Sequence, residues 1–127
     1  MRILFDTHTL LWFLTDDPKL PKALGMRLVD SGTLFFSPVS ILEIAIKHSL
    51  KPDVMPCDPN DVMADAEASG IAELPFTARH GLAVGALPWL HRDPFDRMLL
   101  AQARTEGIPL LTHDEAIVRD GEGVFGF

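Results

Sequence analysis

The chain has 127 residues, of which 47% are hydrophobic and 23% are charged, and this composition is typical of one globular domain without a disordered tail. Its formal net charge of −7, from 18 acidic and 11 basic residues, is opposite to the charge of most proteins that hold nucleic acid by electrostatics alone. A single cysteine, Cys57, excludes an internal disulfide, and no apolar run approaches the ~20 residues of a membrane span. We therefore expect a soluble, cytoplasmic protein without membrane contact, in which residues 1–127 form a single domain.

The first predicted elements are a buried strand at residues 2–5 and a helix in the apolar block that ends at the turn Asp16-Asp17-Pro18. The polar turn Asp6-Thr7-His8 separates the two elements. Asp6 would then lie at the carboxyl end of a strand, where open α/β sheets bind their ligands. The alternative is that Asp6 or Thr7 simply caps the helix, which is a common role of both residue types.

Strands and helices are predicted to alternate along the rest of the chain. Short apolar runs bounded by turn residues predict strands at residues 33–36, 71–75 and 108–112. Helical patterns and caps predict helices at residues 22–31, 37–48, 61–69, 77–84 and 93–106, with a last short helix near residue 119. This alternation indicates an α/β fold of three layers, in which a mostly parallel sheet of four to five strands has helices on both faces.

Four acidic side chains fall beside the predicted strands. Asp6 follows the first strand, Glu43 lies on the helix after the second, Asp96 lies in the first turn of an apolar helix, and Asp114 follows the last strand. In a parallel sheet these side chains can converge at the carboxyl edge. Clustered carboxylates without cysteine suit Mg²⁺ or Mn²⁺, which lower the pKa of a bound water and stabilise charge on a phosphate. The sequence therefore predicts a metal site built from these four acids.

Each acid also has a purely structural interpretation. Ser40 and Glu43 match a capping box, although Ser37-Pro38 is the better helix start and places Glu43 well inside the helix. Glu43 with Lys47 also matches an ordinary i,i+4 ion pair. Asp93 is a natural N-cap before a proline, and Asp114 is equally suited to capping the helix that follows it. Asp93 also lies three residues before Asp96 and is an alternative to it as a ligand.

Further side chains near the four acids are candidates for supporting roles. The hydroxyls predicted to hold waters or a phosphate oxygen are Thr7 and Thr112. The cations predicted to contact phosphates, or else to form ordinary surface ion pairs, are Lys47, Arg92 and Arg97. Both histidines next to proposed ligands, His8 and His113, are expected to support those ligands. The alternatives are that either histidine coordinates a softer metal such as Zn²⁺ or orients a phosphate. The two tryptophans, Trp12 and Trp89, are expected in the core or an interface rather than as platforms for stacking bases.

Four motifs of the sequence carry a resemblance to a known family. They are LFDTH at residues 4–8, SILEIAIK at 40–47, HRDPFDRMLLAQA at 91–103 and LLTHD at 110–114. Together they resemble the PIN domain, and more narrowly the VapC-type toxin ribonucleases of bacterial and archaeal toxin–antitoxin pairs. The resemblance covers essentially the whole chain, and the third motif is its most specific part.

The resemblance implies a function and assigns residues to it. The acidic quartet of the family falls on Asp6, Glu43, Asp96 and Asp114, and its hydroxyl residue near the last acid falls on Thr112. It implies a PIN-like fold, Mg²⁺- or Mn²⁺-dependent hydrolysis of RNA phosphodiester bonds, a homodimer, and a small antitoxin that inhibits the enzyme by binding over the site.

Three other functions compete with this interpretation. One is a phosphatase with Asp6 as covalent nucleophile, although the expected second aspartate two residues later is replaced by His8. Another is a metal-independent ribonuclease that uses histidines as acid and base. The third is a PIN-like binding module that has no catalytic activity.

Overall fold

The structure is a computed structural model that describes residues 1–30, 32–88, 93–120 and 123–127. No helix in these parts of the chain is long and apolar enough to span a bilayer. In chain order the elements are β1 (Arg2–Phe5), α1 (Thr7–Thr15), α2 (Lys22–Asp30), β2 (Thr33–Phe36), α3 (Pro38–Leu50), α4 (Pro59–Ala68), β3 (Ala72–Glu73), α5 (Ala78–Ala86), α6 (Pro94–Glu106), β4 (Leu110–Thr112), α7 (Glu115–Asp120) and β5 (Val124–Gly126).

The strands form one parallel sheet in the order β3-β2-β1-β4-β5. The chain moves outward from β1 through β2 to β3, and then returns to the other side of β1 with β4 and β5. This reversal places a topological switch point between β1 and β4. In open α/β sheets the crevice outside the carboxyl ends of the strands at such a point is the usual ligand site.

Alternating side chains of the strands build one apolar core on each face of the sheet. On one face, Ile3 and Phe5 of β1 pack with residues of α1, α2 and α4. On the other face, Leu4 packs with residues of α6 and α7. Helix α3 contributes Ile44 to the first core and Val39 to the second. This three-layer arrangement with a parallel sheet confirms the predicted fold class.

The predicted elements agree with the observed ones except at their ends and at the last strand. Helix α4 begins at Pro59, two residues before the predicted start, because Asp58 is its cap. Helix α6 ends at Gly107, as predicted, and this glycine has a φ of 65° that suits a residue without a Cβ. Strand β5 was not predicted, because a run of only three residues that includes a glycine gives no periodic signal.

Candidate active site

Asp6 directly follows β1, as predicted, and it also caps α1, which was the alternative interpretation of the sequence. Its backbone N donates to Leu111 O at 3.1 Å, which ties it to β4. Its Oδ1 accepts hydrogen bonds from Thr9 N at 2.8 Å and from Thr9 Oγ1 at 2.7 Å. Burial raises the pKa of Asp6 above its ordinary value, against the opposing effects of hydrogen bonds from Thr112 and Thr9 and of the charge of His8. The carboxylate is therefore buried and held in one orientation.

Thr112 connects Asp6 with Asp114 at the carboxyl end of β4. Its side chain is fully buried, and its Oγ1 accepts a hydrogen bond from Asp114 N at 3.0 Å. The same side chain hydrogen-bonds Asp6 and lowers the pKa of that carboxyl. Asp114 Oδ1 in turn accepts from Ala116 N at 2.9 Å, at the start of α7. One threonine thus fixes the relative positions of two acids from opposite ends of the chain.

Glu43 lies well inside α3, because that helix begins at the cap Ser37, whose Oγ accepts from Val39 N at 3.1 Å. The capping-box interpretation of Ser40 and Glu43 is therefore wrong. Glu43 is only 2% exposed, and its Oε2 pairs with Lys47 Nζ one turn along the helix. Its Oε1 is buried with no hydrogen-bond partner among the described residues. A buried carboxylate oxygen without a donor or cation is costly.

The first turn of α6 brings two further acids to the same place. Asp93 Oδ1 accepts hydrogen bonds from Phe95 N at 2.9 Å and from Asp96 N at 3.1 Å, which confirms its predicted role as the N-cap. Asp96 itself is half-buried. Burial raises the pKa of Asp96 to about 7, and four neighbouring carboxylates add to this effect: Asp93, Asp114, Asp6 and Glu43.

These acids line one cleft at the carboxyl edge of the sheet, beside the switch point between β1 and β4. Its volume is about 410 Å³, within the range of ~300–1,000 Å³ typical of ligand pockets. Its lining residues are Asp6, His8, Trp12, Lys19, Glu43, Lys47, Asp93, Asp96, His113 and Asp114. The structure thus brings together all four acids that the sequence singled out, with Asp93 as a fifth.

Lys47 places a positive charge inside the cleft. Its Nζ pairs with Glu43 and lies 5.9 Å from the centroid of the Phe95 ring. Partial burial lowers the pKa of Lys47, but the hydrogen bond to Glu43 and the charges of Glu43, Asp93 and Asp96 outweigh it, so the pKa is raised. Lys47 therefore remains charged and offsets part of the negative charge of the acids.

The donor set of the cleft fits a hydrated divalent cation. Across residues 1–30, 32–88, 93–120 and 123–127, no three acidic, histidine or cysteine side chains are arranged so as to hold a metal ion. Mg²⁺ in proteins usually keeps several waters and binds one or two carboxylates together with substrate phosphates. Glu43 Oε1, which has no partner in the part of the chain that the structure describes, offers one such ligand. A cation would also relieve the repulsion that, together with burial, raises the pKa of Asp96.

Two threonines of α1 differ from expectation. Thr7 does not line the cleft: it is buried, and its Oγ1 donates to Ser40 Oγ at 3.0 Å, which ties the start of α1 to α3. Thr9, which was not among the predicted site residues, orients Asp6 instead. Its position three residues after a capping aspartate is the signal that identifies it, because the backbone N–H there is the one a cap accepts from.

Arg97 contradicts its predicted role as a phosphate contact. The residue is only 3% exposed and is not part of the cleft lining. Its guanidinium donates to three backbone carbonyls at the end of α5, those of Val84, Leu87 and Pro88. The prediction is wrong because a buried guanidinium that is engaged by carbonyls does not reach a phosphate in solution. Arg92, the other predicted arginine, lies outside the described residues, as does Trp89.

Comparison with known proteins gives a family for the chain. A family model described as PIN domain matches residues 3–121. The chain belongs to the PIN domain family. The predicted resemblance is thereby confirmed at the level of the family, and we refer to the chain as this PIN domain. A search of curated proteins gives no match.

Solved toxin–antitoxin structures share the fold of this PIN domain. One is VapBC2 from Rickettsia felis bound to a DNA fragment from its promoter, with a TM-score of 0.71 and 14% identity, covering 100% of this chain and 98% of that chain. Another is VapBC-1 from nontypeable Haemophilus influenzae, with a TM-score of 0.68 and 14% identity over 100% of this chain and 97% of that one. A toxin–antitoxin complex from Klebsiella pneumoniae has a TM-score of 0.62 at 15% identity, covering 97% and 95%. At these identities the likeness shows a common fold.

Proposed function

We propose that this PIN domain, with residues 1–127 acting as one domain, is a Mg²⁺- or Mn²⁺-dependent ribonuclease and the toxin of a toxin–antitoxin pair. The observation that best supports this proposal is the cleft at the switch point, which five carboxylates line. In it, Glu43 Oε1 is buried without a partner among the described residues. The family and the toxin–antitoxin complexes that share its fold support the assignment. Because its substrate would be cellular RNA, we expect the protein in the cytoplasm.

The residues of the cleft have distinct parts in such a reaction. Asp6, Glu43, Asp96 and Asp114 would hold the cation, with Asp93 next to them as the cap of α6. Thr9 and Thr112 keep Asp6 in place, and Thr112 does the same for Asp114. A bound Mg²⁺ or Mn²⁺ supplies activation of a water and stabilisation of charge on the phosphate. No side chain then needs to serve as nucleophile.

Two kinds of partner follow from the proposal. The antitoxin would bind over the cleft and exclude RNA, as the resemblance implies. A second copy of the chain would cover the apolar stripe of α3, in which Leu42, Ile46 and Leu50 are 49%, 40% and 74% exposed at successive turns of the helix. Exposed apolar patches of this kind often mark protein interfaces.

The proposal is tested by cleavage of single-stranded RNA by the purified protein. We expect cleavage in Mg²⁺ or Mn²⁺, none in EDTA, and loss of at least about 100-fold in rate for Asp6→Asn and Asp96→Asn. The reason is that removing even an outer partner of a metal ligand costs about 10–100-fold. Asp93→Asn should keep most of the activity, because asparagine still caps a helix.

Asp58→Asn is the matched control. Asp58 caps α4 through a hydrogen bond from Asn60 N at 2.8 Å and does not line the cleft, so the same substitution there should leave the rate unchanged. Cleavage that persists in EDTA, or near-normal rates in Asp6→Asn and Asp96→Asn, would refute the metal-dependent mechanism. An inactive Asp93→Asn would make Asp93 the ligand from α6.

A further inference from the structure

The rings of Trp12, His8 and His113 form an aromatic wall on one side of the cleft. Trp12 is at its centre. Trp12 lies in α1 and is half-exposed. It packs partly against the core and also lines the cleft. Its ring centroid lies 6.2 Å from that of His8 and 6.0 Å from that of His113. Behind His113, the ring of Phe127 stacks at a centroid distance of 4.7 Å and lies 6.4 Å from Trp12. Three of these four rings, those of Trp12, His8 and His113, line the cleft beside the carboxylates, and Phe127 packs against two of them.

A second cation of the cleft lies over this wall. Lys19 Nζ is 5.8 Å from the centroid of the Trp12 ring, within the range of a cation–π contact. The cleft thus has two chemically different sides, the carboxylates with Lys47 and the rings with Lys19. The metal chemistry proposed above uses the first side, because Mg²⁺ takes oxygen ligands. Trp12 and Lys19 have no part in it.

We propose that the aromatic side is a subsite for one unpaired nucleobase, which stacks against Trp12 while a neighbouring phosphate of the same RNA strand lies at the carboxylates. The inference rests on the proposed ribonuclease function and assigns one side of the cleft to a base of the substrate strand. A base in a duplex is already stacked and paired, and extruding it costs free energy. Stacking uses the π-face that every base has, so the subsite tolerates any base.

Lys19 also contributes to this subsite, by contacting the RNA backbone. Its side chain is exposed, and its flexible four-carbon stem lets the ammonium leave the ring face when a base arrives. From there it reaches a phosphate of the bound strand. Because the protein carries a net charge of −7, such a local cation offsets the repulsion between RNA and the acidic cleft.

The test measures RNA binding rather than cleavage, by fluorescence anisotropy of a short, labelled single-stranded RNA. All proteins carry Glu43→Gln, so that the RNA remains intact. We expect Trp12→Leu to weaken binding about tenfold or more, in keeping with the contribution of one stacked base. Trp12→Phe keeps a ring and should weaken it only a few-fold. A duplex of the same sequence should bind more weakly and should not respond to Trp12→Leu.

Phe13→Leu is the matched control on the same helix. Phe13 packs on Phe5 with ring centroids 5.2 Å apart and lines a different groove, so its substitution should leave RNA binding unchanged. A scan of the RNA with single abasic sites should find one position at which loss of the base weakens binding as much as Trp12→Leu does. At that position Trp12→Leu should show no further loss.

Equal RNA binding by the Trp12→Leu and parent proteins would overturn the subsite. So would a Trp12→Leu variant that binds RNA normally but loses affinity for the purified antitoxin, because the wall would then be a protein-docking surface. If circular dichroism shows that Trp12→Leu does not fold, the abasic scan of the parent and Trp12→Phe proteins decides, and the absence of any sensitive position overturns it. RNA cleavage by the wild type separates these outcomes from failure of the ribonuclease function itself.

Discussion

Three carboxylates of the cleft, Asp6, Asp93 and Asp114, also cap the helices that follow them. A capping carboxylate accepts hydrogen bonds from backbone N–H groups, and an asparagine side-chain oxygen does the same without the charge. Asparagine substitutions therefore separate the two functions of these residues: they keep the caps and remove the negative charges. For this reason the variants used to test the proposed metal site are expected to remain folded.

Also at the scale of single residues, Asp96 contributes to the pH dependence of the stability of the metal-free protein. Its pKa is raised from 3.8 to about 7, so the folded protein keeps a proton that the unfolded chain has already lost. Between about pH 4 and pH 7 the folded state binds more protons, and the free energy of unfolding falls as the pH rises. The destabilisation is absent below about pH 4 and complete above about pH 7. Asp96→Asn removes it.

We therefore expect Asp96→Asn to be more stable than the wild type at pH 8 in EDTA, and the difference to vanish near pH 4. Urea denaturation at both pH values measures it. Asp58→Asn, a substitution at the cap of α4, should not show this stability difference at pH 8. A wild type that is the more stable protein at pH 8 would show that the carboxylates do not repel each other in solution.

The acids of the site were predictable from sequence, whereas several of their neighbours were not. Asp6 directly follows β1 and Asp114 lies two residues after the end of β4, so the topology of a parallel sheet alone brings them together. The burial of Arg97 depends on how α5 packs against α6, which no periodicity reveals. The position of Trp12 could not be predicted either, because its ring contacts both the core and the cleft.

At the scale of elements, side chains hold α5 against α6 at both ends. At its start, His80 Nδ1 accepts from Thr77 N at 2.9 Å, so the proton is on Nε2, which donates to Glu106 Oε1 at 2.7 Å. At its end, the Arg97 guanidinium donates to Val84 O at 2.9 Å and to two further carbonyls. A positive charge near the C-terminal end of a helix also interacts favourably with the helix dipole. Because Arg97 directly follows Asp96, this contact connects the packing of α5 to the cleft.

Arg97→Met should destabilise the protein by about 2–4 kcal/mol, because it leaves carbonyls without the charged donor that satisfies them. Urea denaturation measures the change. Arg79→Met, an exposed arginine on α5 itself, is the matched control and should lie within about 0.5 kcal/mol of the wild type. Equal stabilities of the two variants would show that Arg97 does not stabilise the end of α5.

The elements were predictable where a cap and a periodic pattern agree. Helices α3 and α6 each begin with a capping residue followed by proline, and both were placed to within a few residues. Strand β5 has no comparable signal, because its pairing with β4 is a contact made only in the folded chain. Its three residues are half-buried at most.

For the whole molecule, the exposed stripe of α3 predicts how two copies associate. Ile46 lies in the middle of this stripe, and a glutamate there would place a charge in the proposed interface between copies. We expect Ile46→Glu to be monomeric and folded where the wild type is dimeric, as measured by analytical ultracentrifugation. Val29→Glu, at an equally apolar and 67% exposed position on α2, should remain dimeric. A monomeric wild type, or a dimeric Ile46→Glu, would contradict this interface.

The antitoxin proposed above as a partner also belongs to the scale of the whole molecule. Lys47 already pairs with Glu43 in the cleft and lies near Asp93 and Asp96, so a side-chain ammonium fits among these acids. An antitoxin that inserts an arginine or lysine there would replace the charge of the metal by charge-assisted hydrogen bonds. Antitoxin and Mn²⁺ should then weaken each other's binding by the same factor, because linkage is reciprocal.

Calorimetric titration of the purified pair at increasing Mn²⁺ concentrations measures this factor, and Asp96→Asn should reduce it. Antitoxin affinity that does not change with Mn²⁺ would mean that inhibition works by covering the RNA-binding surface and leaves the metal site open.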